Sequence, residues 1–226
     1  LARRFGMARV TLANDFAAAA HGLALVEPEH IVTLRAGQPI EDAPRVILGA
    51  GTGLGVAGLV REASGDRVIA GEGGHIGFAP QTAQQGDLWR WLLGRNGRVT
   101  TEDIVSGPGL ARIHAFLGGR PRQPSEIGGL ALAGGDPLAG AALRLWLECY
   151  GAFAGDLALH WLARGGVFLA GGIAAKLMPH FDNAPFIDAF LAKREHRHLA
   201  EDMPIRLVTD ESLGLRGTLA LASRCG

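Results

Sequence analysis

Asn14 and Asp15 stand between an alternating apolar segment, Met7 to Ala13, and an alanine-rich helical segment that opens at Phe16. A polar pair at the carboxyl end of a strand sits where open α/β sheets hold ligands. Helix capping is the competing role, since Asn and Asp are favoured at that position. The two roles coexist if one residue caps and the other points into a cleft. Glu72 and His75 lie among Gly71, Gly73, Gly74 and Gly77. Ordering so much glycine costs conformational entropy, so the segment reads as a shaped loop that presents a carboxylate and an imidazole together. An ordinary exposed turn is the alternative. Glu102 follows Thr101 and precedes Asp103, a capping residue and two acids suited to a helix start. His196 and His198 have the spacing of a metal pair, but no third ligand stands nearby and their neighbours are charged. They read as a solvated helix end, and no metal site is assigned.

The second chemical signal is the stretch Leu48 to Val56, with glycine at positions 49, 51, 53 and 55 and a hydroxyl at Thr52. Glycine permits positive φ and close backbone approach, so such a turn can direct N–H groups at an anion. It is not a dinucleotide fingerprint. Only Gly53, Gly55 and Gly58 complete that spacing, and they begin past the end of the strand Val46-Ile47-Leu48. A helix does not follow either: Val56 to Val60 and Arg67 to Ala70 read as two strands joined around Ser64-Gly65-Asp66. Strand, glycine turn and hairpin together form a different phosphate cradle, with a tight, ligand-free β-turn as the alternative. A second strand–diglycine junction, Ala170-Gly171-Gly172, leads into a helix from Ile173 to His180. It offers either a resting place for a nucleotide or close packing of strand on helix.

The elements needed to carry these residues are legible as periodicities. Further strands are expected at Ile31–Leu34, Val167–Ala170 and Ile205–Thr209. Helices are expected at Asp87–Leu93, with Trp89, Trp91 and Leu92 in the core, from Pro108 to Leu117, and from Ser125. The longest, Ala139–Ala163, repeats Leu143, Trp146, Leu147, Tyr150, Phe153, Leu157 and Trp161 at three- and four-residue spacing, and no chemistry is read in it. Phe186–Arg194 and Leu213–Ser223 complete the set.

Bulk properties narrow the function classes. The 22 basic residues balance 22 acidic ones, which argues against a nucleic-acid or membrane-surface role. Two cysteines, Cys149 and Cys225, point to a reducing compartment with no metal framework. The longest apolar stretch, Leu143 to Leu162, is broken by Arg144, Glu148, Asp156 and His160, so it does not span a bilayer. The expectation is a soluble cytoplasmic protein with no membrane or nucleic-acid partner. The chain opens on Leu1-Ala2-Arg3-Arg4, like the last turns of a helix, and reads as a fragment.

Taken in order, five segments resemble bacterial glucokinase of the hexokinase superfamily: Asn14-Asp15-Phe16, Gly49 to Gly55, Gly71 to His75, Ser106-Gly107-Pro108-Gly109 and Leu169 to Ile173. The resemblance implies an α/β fold of the ribonuclease-H-like (actin/hexokinase) type, in two domains that close on glucose, with the small domain incomplete. Residues 1–25 and 212–226 would be the remnant of that small domain and 26–211 the large one. It implies Asp15 as the general base on the sugar 6-hydroxyl, with Asn14, Glu72, His75 and Glu102 on the other hydroxyls. Gly49, Gly51, Thr52 and Gly53 would follow the ATP phosphates and Gly171 and Gly172 the adenosine, with Mg2+ alongside. The resemblance leaves room for a homodimer.

Two departures qualify this resemblance. No Asp-x-Gly-Gly-Thr phosphate loop occurs near the N-terminus, and Gly77 stands where relatives often carry aspartate. The chain would then begin inside the small domain. Two cysteines are too few for the zinc motif of related sugar kinases and repressors. A kinase for mannose, fructose or an amino sugar, and a truncated sugar-binding remnant without turnover, stay open at this point.

Overall fold

Continuous apolar runs along the central strands are buried on both faces of one six-stranded sheet, as seen in a computed structural model that describes residues 2–6, 10, 12–63 and 65–223. The strands are β1 (Ile31–Arg35), β2 (Arg45–Ala50), β3 (Leu54–Glu62), β4 (Gly65–Gly71), β5 (Gly166–Ala170) and β6 (Ile205–Val208). Their order is β1-β6-β5-β2-β3-β4. The centre, β6-β5-β2, is parallel, and the outer strands pair antiparallel. All six were expected from the sequence, with ends that differ by a residue or two. The expected strand Met7–Ala13 lies largely outside the described residues; of its described part, Val10, Leu12 and Ala13 carry no regular structure and are exposed.

The helices are α1 (Ala2–Phe5), α2 (Asp15–Gly22), α3 (Ala83–Asn96), α4 (Gly107–Phe116), α5 (Pro124–Ala133), α6 (Pro137–Trp161), α7 (Gly172–Leu177), α8 (Ala184–Leu191), α9 (Arg197–Asp202) and α10 (Leu213–Ser223). Val46, Leu48, Val167 and Leu169 face the larger core, built with Leu110 and Ile113 of α4, Trp146 and Tyr150 of α6, and Phe186 and Phe190 of α8. Their alternates Ile47, Phe168 and Ala170 face a smaller core with Ala19 and Ala20 of α2 and Leu213 of α10. The sheet is thus the middle of three layers.

Capping chemistry explains where the helix ends depart from expectation. Asp136 Oδ1 accepts from Leu138 N and Ala139 N at 3.0 and 3.1 Å, so α6 starts at Pro137. It ends at Leu162, which takes the left-handed conformation at φ 45°, ahead of the diglycine expected to stop it. Thr82 Oγ1 accepts from Gln85 N and Gly97 closes the other end at φ 71°, which makes α3 longer than its apolar pattern alone required. Leu92 is buried as expected, together with Leu88 and Gln85; Trp89 and Trp91 are only half-buried against the core, a correction to the expected core. Among the described residues no helix is long and apolar enough to cross a membrane. Cys149 is buried and unpaired, its thiol pushed up by burial and by the neighbouring Glu148 charge, while Cys225 lies outside the described residues.

Two glycines allow α2 and α10 to touch backbone to backbone. A Cβ on Gly22 would run into Leu213 O, and one on Gly217 into Ala18 O. Overpacking of this kind costs about 1–3 kcal/mol. Gly217→Ala is therefore expected to lower stability to denaturant by that amount. Gly214→Ala, where a Cβ meets open space, should not.

The start of α10 is tied by Asp210, whose Oδ1 accepts from Ser212 Oγ at 2.6 Å and whose Oδ2 accepts from Arg216 Nε at 2.6 Å. Arg216 also donates to Leu25 O at 3.2 Å. The Ser212 hydroxyl and then the Arg216 guanidinium hold the Asp210 carboxyl below the usual carboxylate range. Asp66 shifts the same way: burial opposes its charge, but Arg45 and Arg61 outweigh that. A depressed carboxylate contributes stability that is present above its unfolded pKa, about 4, and is lost as pH falls through the lower folded value. Thermal melts should fall steeply below about pH 4, and Asp210→Asn should flatten that slope. An unchanged slope in the variant would remove Asp210 from the account.

Candidate active site

The carboxyl ends of β2 and β5 point at a cavity of about 350 Å³. Its lining brings together Asn14, Asp15, Glu72 and Glu102 with Gly49, Gly51, Thr52, Gly53 and Gly171. Five separate segments of the chain meet there. Of the candidate residues, His75 and Gly172 do not line it. The His75 side chain is exposed at the end of the short turn Gly73–His75, and Arg98 Nη2 donates to its carbonyl at 3.1 Å. Gly172 lines a second cavity of about 800 Å³ with Ile173, Lys176, Leu177, Pro108 and Leu110. The two cavities share Gly51 and Thr52.

Asn14 and Asp15 divide the labour at the start of α2. Asn14 Oδ1 accepts from Phe16 N and Ala17 N at 2.9 and 3.0 Å and is the N-cap. Asp15 is the first residue of the helix; its Oδ1 accepts from Phe16 N at 2.7 Å and its side chain is exposed to the cavity. A carboxylate is favoured there by the helix dipole.

Glu102 is not at a helix start. Residues 101–105 form turns, and α4 begins two residues later, behind Ser106. Glu102 instead joins two turns. Its backbone N donates to Gly74 O at 2.9 Å, which fixes the loop that carries Glu72. Its Oε2 accepts from Leu54 N at 2.7 Å, which fixes the glycine turn. The carbonyl of Glu102 accepts from Ser106 Oγ at 2.7 Å, Ser106 Oγ caps Gly109 N at 3.0 Å, and Trp146 Nε1 of α6 donates to Ser106 O at 3.2 Å. Tyr150, one helical turn on, donates through its hydroxyl to Leu48 O at 3.3 Å. The long helix thus holds both sides of the site, although its sequence pattern read as core alone.

The glycine turn works differently from expectation. None of Gly49, Gly51, Gly53 or Gly55 has positive φ. What they supply is the absence of a Cβ. A Cβ on Gly53 would stand 2.6 Å from Glu102 Oε2, and one on Gly49 2.6 Å from the Phe16 ring. Gly51 faces open space; its N–H donates to Gly53 O and its carbonyl accepts from Gly107 N, both at 2.8 Å. Gly171 does need its conformation, φ 88°, and a Cβ there would collide with Ala50 O. Among the described residues no group of three His, Cys, Asp or Glu side chains could hold a metal ion.

A sheet with three parallel central strands and a cleft at their carboxyl ends defines an α/β fold of the actin and hexokinase type. The glucokinase family model matches residues 1–225, and the chain belongs to that family. A glucokinase from Mesorhizobium japonicum is 39% identical over 223 residues, covering 96% of this chain and 65% of the relative. The crystal structure of a glucokinase from an Antarctic psychrotroph superposes with a TM-score of 0.88 at 30% identity, covering 98% of this chain and 71% of the other. A ROK-family glucokinase from Streptomyces griseus, solved with glucose and AMPPNP, shares the fold at a TM-score of 0.65 and 24% identity, over 100% of this chain and 71% of its own. The chain thus spans about two thirds of the length of the relatives it matches.

Removal of the Glu102 carboxylate strands the buried Leu54 N–H. Glu102→Ala should therefore cost about 1–3 kcal/mol in denaturant unfolding. Glu102→Gln should cost clearly less, because an amide oxygen can still accept. Equal losses in the two variants would mean that this hydrogen bond carries no weight.

Proposed function

We propose that this chain carries the sugar and nucleotide site of an ATP-dependent glucokinase, which forms glucose 6-phosphate. The observation that carries the reading is the 350 Å³ cavity, where an exposed aspartate at a helix start, two glutamates and an asparagine face a glycine turn. A neutral polyol is recognised by paired donors and acceptors, and those groups are left unpaired if the wrong ligand binds. Asn14, Glu72 and Glu102 serve that purpose, with His75 entering from the rim. Asp15 takes the proton of the 6-hydroxyl as general base.

The residues present fit a nucleotide. Gly51 and Thr52 stand at the junction of the two cavities, and the larger has room and apolar walls for a base. Gly51, Thr52 and Gly53, with Gly49 behind them, would lie along the phosphates; Gly171 and Gly172 would lie near the adenosine. ATP supplies the phosphoryl group that is transferred. The chain's own part is mainly to position it and exclude water. The described residues do not form a carboxylate cage for Mg2+, so no step is assigned through a protein-held metal. Residues 26–211 are taken as the large domain and 1–25 with 212–226 as the remnant of a small one, whose described helices α2 and α10 cover one face of the large-domain sheet, in a cytoplasmic enzyme.

Removal of a general base lowers turnover by about 10²–10⁴-fold. In the full-length protein, Asp15→Asn should do so in a glucose 6-phosphate assay and leave glucose affinity by calorimetry within about twofold, because uniform binding is unaffected. Retained turnover would take Asp15 out of the base role.

A further inference from the structure

Phe16 is held at both its backbone and its ring. Its N–H is the shared donor to Asn14 Oδ1 and Asp15 Oδ1, at 2.9 and 2.7 Å. Its ring lies across Gly49 and Gly55, which face each other in the β2–β3 register. A Cβ on Gly49 would stand 2.6 Å from Phe16 Cζ, and one on Gly55 2.8 Å from Phe16 Cβ and nearer still to the ring. Neither glycine has positive φ, so the ring accounts for the missing Cβ at both positions. Phe16 also borders a cavity of about 420 Å³ with Ala19, Ala170 and Leu213.

We infer that Phe16 is the positioning residue for Asp15: its ring, seated on the Gly49–Gly55 pair, sets where the first turn of α2 stands over the Gly51–Gly53 turn. The inference rests on the reading of Asp15 as general base. The contact ties α2 to the two strands that carry the turn, so it fixes the base relative to the place where the phosphoryl group arrives. The aromatic ring is needed for its flat shape and its reach across both strands. Leucine and alanine keep the contact at Gly55, which the Phe16 Cβ already makes, but neither reaches Gly49, which meets the far end of the ring. A residue that merely filled the smaller core would change stability and leave the chemical step alone. A positioning residue changes turnover, since a misplacement of about 1 Å can cost 10²-fold.

The test is steady-state kinetics and glucose calorimetry on the full-length protein for Asp15→Asn, Phe16→Ala, Phe16→Leu, Gly55→Ala and the double variant Phe16→Ala/Gly55→Ala. The expected result is a loss of kcat of about 10²-fold in Phe16→Ala, with glucose affinity within threefold. Phe16→Leu should fall between it and the parent. Gly55→Ala should lose turnover by unseating the ring, and the double variant should be no worse than the poorer single one, because contacting residues are non-additive. If Asp15→Asn loses turnover and Phe16→Ala keeps it within threefold, the positioning role is wrong while the base role stands. If Asp15→Asn stays active, the base reading fails and this inference fails with it. Should Phe16→Ala not fold, Phe16→Leu, Gly55→Ala and a further double variant, Phe16→Leu/Gly55→Ala, decide: additive losses in that double variant would overturn the shared contact.

Discussion

The missing side chains at Gly49, Gly53 and Gly55, around the turn between β2 and β3, are the constraint on which the site depends. Two side chains from distant parts of the chain need that bareness. Glu102 lays its carboxylate over Gly53 and takes the Leu54 N–H, and Phe16 lays its ring over Gly49 and Gly55. Each delivers an acid to the cavity: Glu102 its own, and Phe16 that of Asp15 beside it. The turn therefore receives the site's acids from two sides without being displaced by either. Gly51 is left open between the two cavities, hydrogen-bonded on one side to its own turn and on the other to the start of α4.

The layers behind the turn convert packing into placement. Trp146 and Tyr150, in tilted contact at 5.1 Å between centroids, send one donor each to the backbone of Ser106 and Leu48. These are buried polar groups satisfied by partners that carry the site, so the large core and the cleft share members. On the other face, α2 and α10 approach through Gly22 and Gly217, and the pair closes over the smaller core. The Asp210–Arg216 pair then ties α10 to the segment after α2 through Leu25.

Much of this was legible in the residues. Strand positions follow from short apolar runs bounded by glycine and turn residues, and the juxtaposition of Asn14, Asp15, Glu72 and Glu102 follows from the resemblance to glucokinases. What the glycines at 49, 53 and 55 are for was not legible. A glycine kept for φ and a glycine kept for a neighbour's side chain look alike in one sequence, and the neighbours here are tens of residues away. No role for Phe16 can be read from its place beside Asp15, because its partner glycines sit on two strands that only the fold brings together. Hydrophobicity alone puts Trp89 and Trp91 in the core with Leu92, whereas the register of α3 turns Leu88 and Leu92 inward and leaves the tryptophans half-buried. Glu102 looked like a helix-start acid because Thr101 precedes it; the helix actually starts at Gly107, behind a different hydroxyl, Ser106.

The most direct test of the central claim is a crystal structure of the full-length protein with glucose bound. The account predicts the sugar in the cavity between Glu72, Glu102 and the glycine turn, with its 6-hydroxyl within about 2.6–3.2 Å of the Asp15 carboxylate. A sugar bound elsewhere, or one turned so that a different hydroxyl meets Asp15, would contradict it.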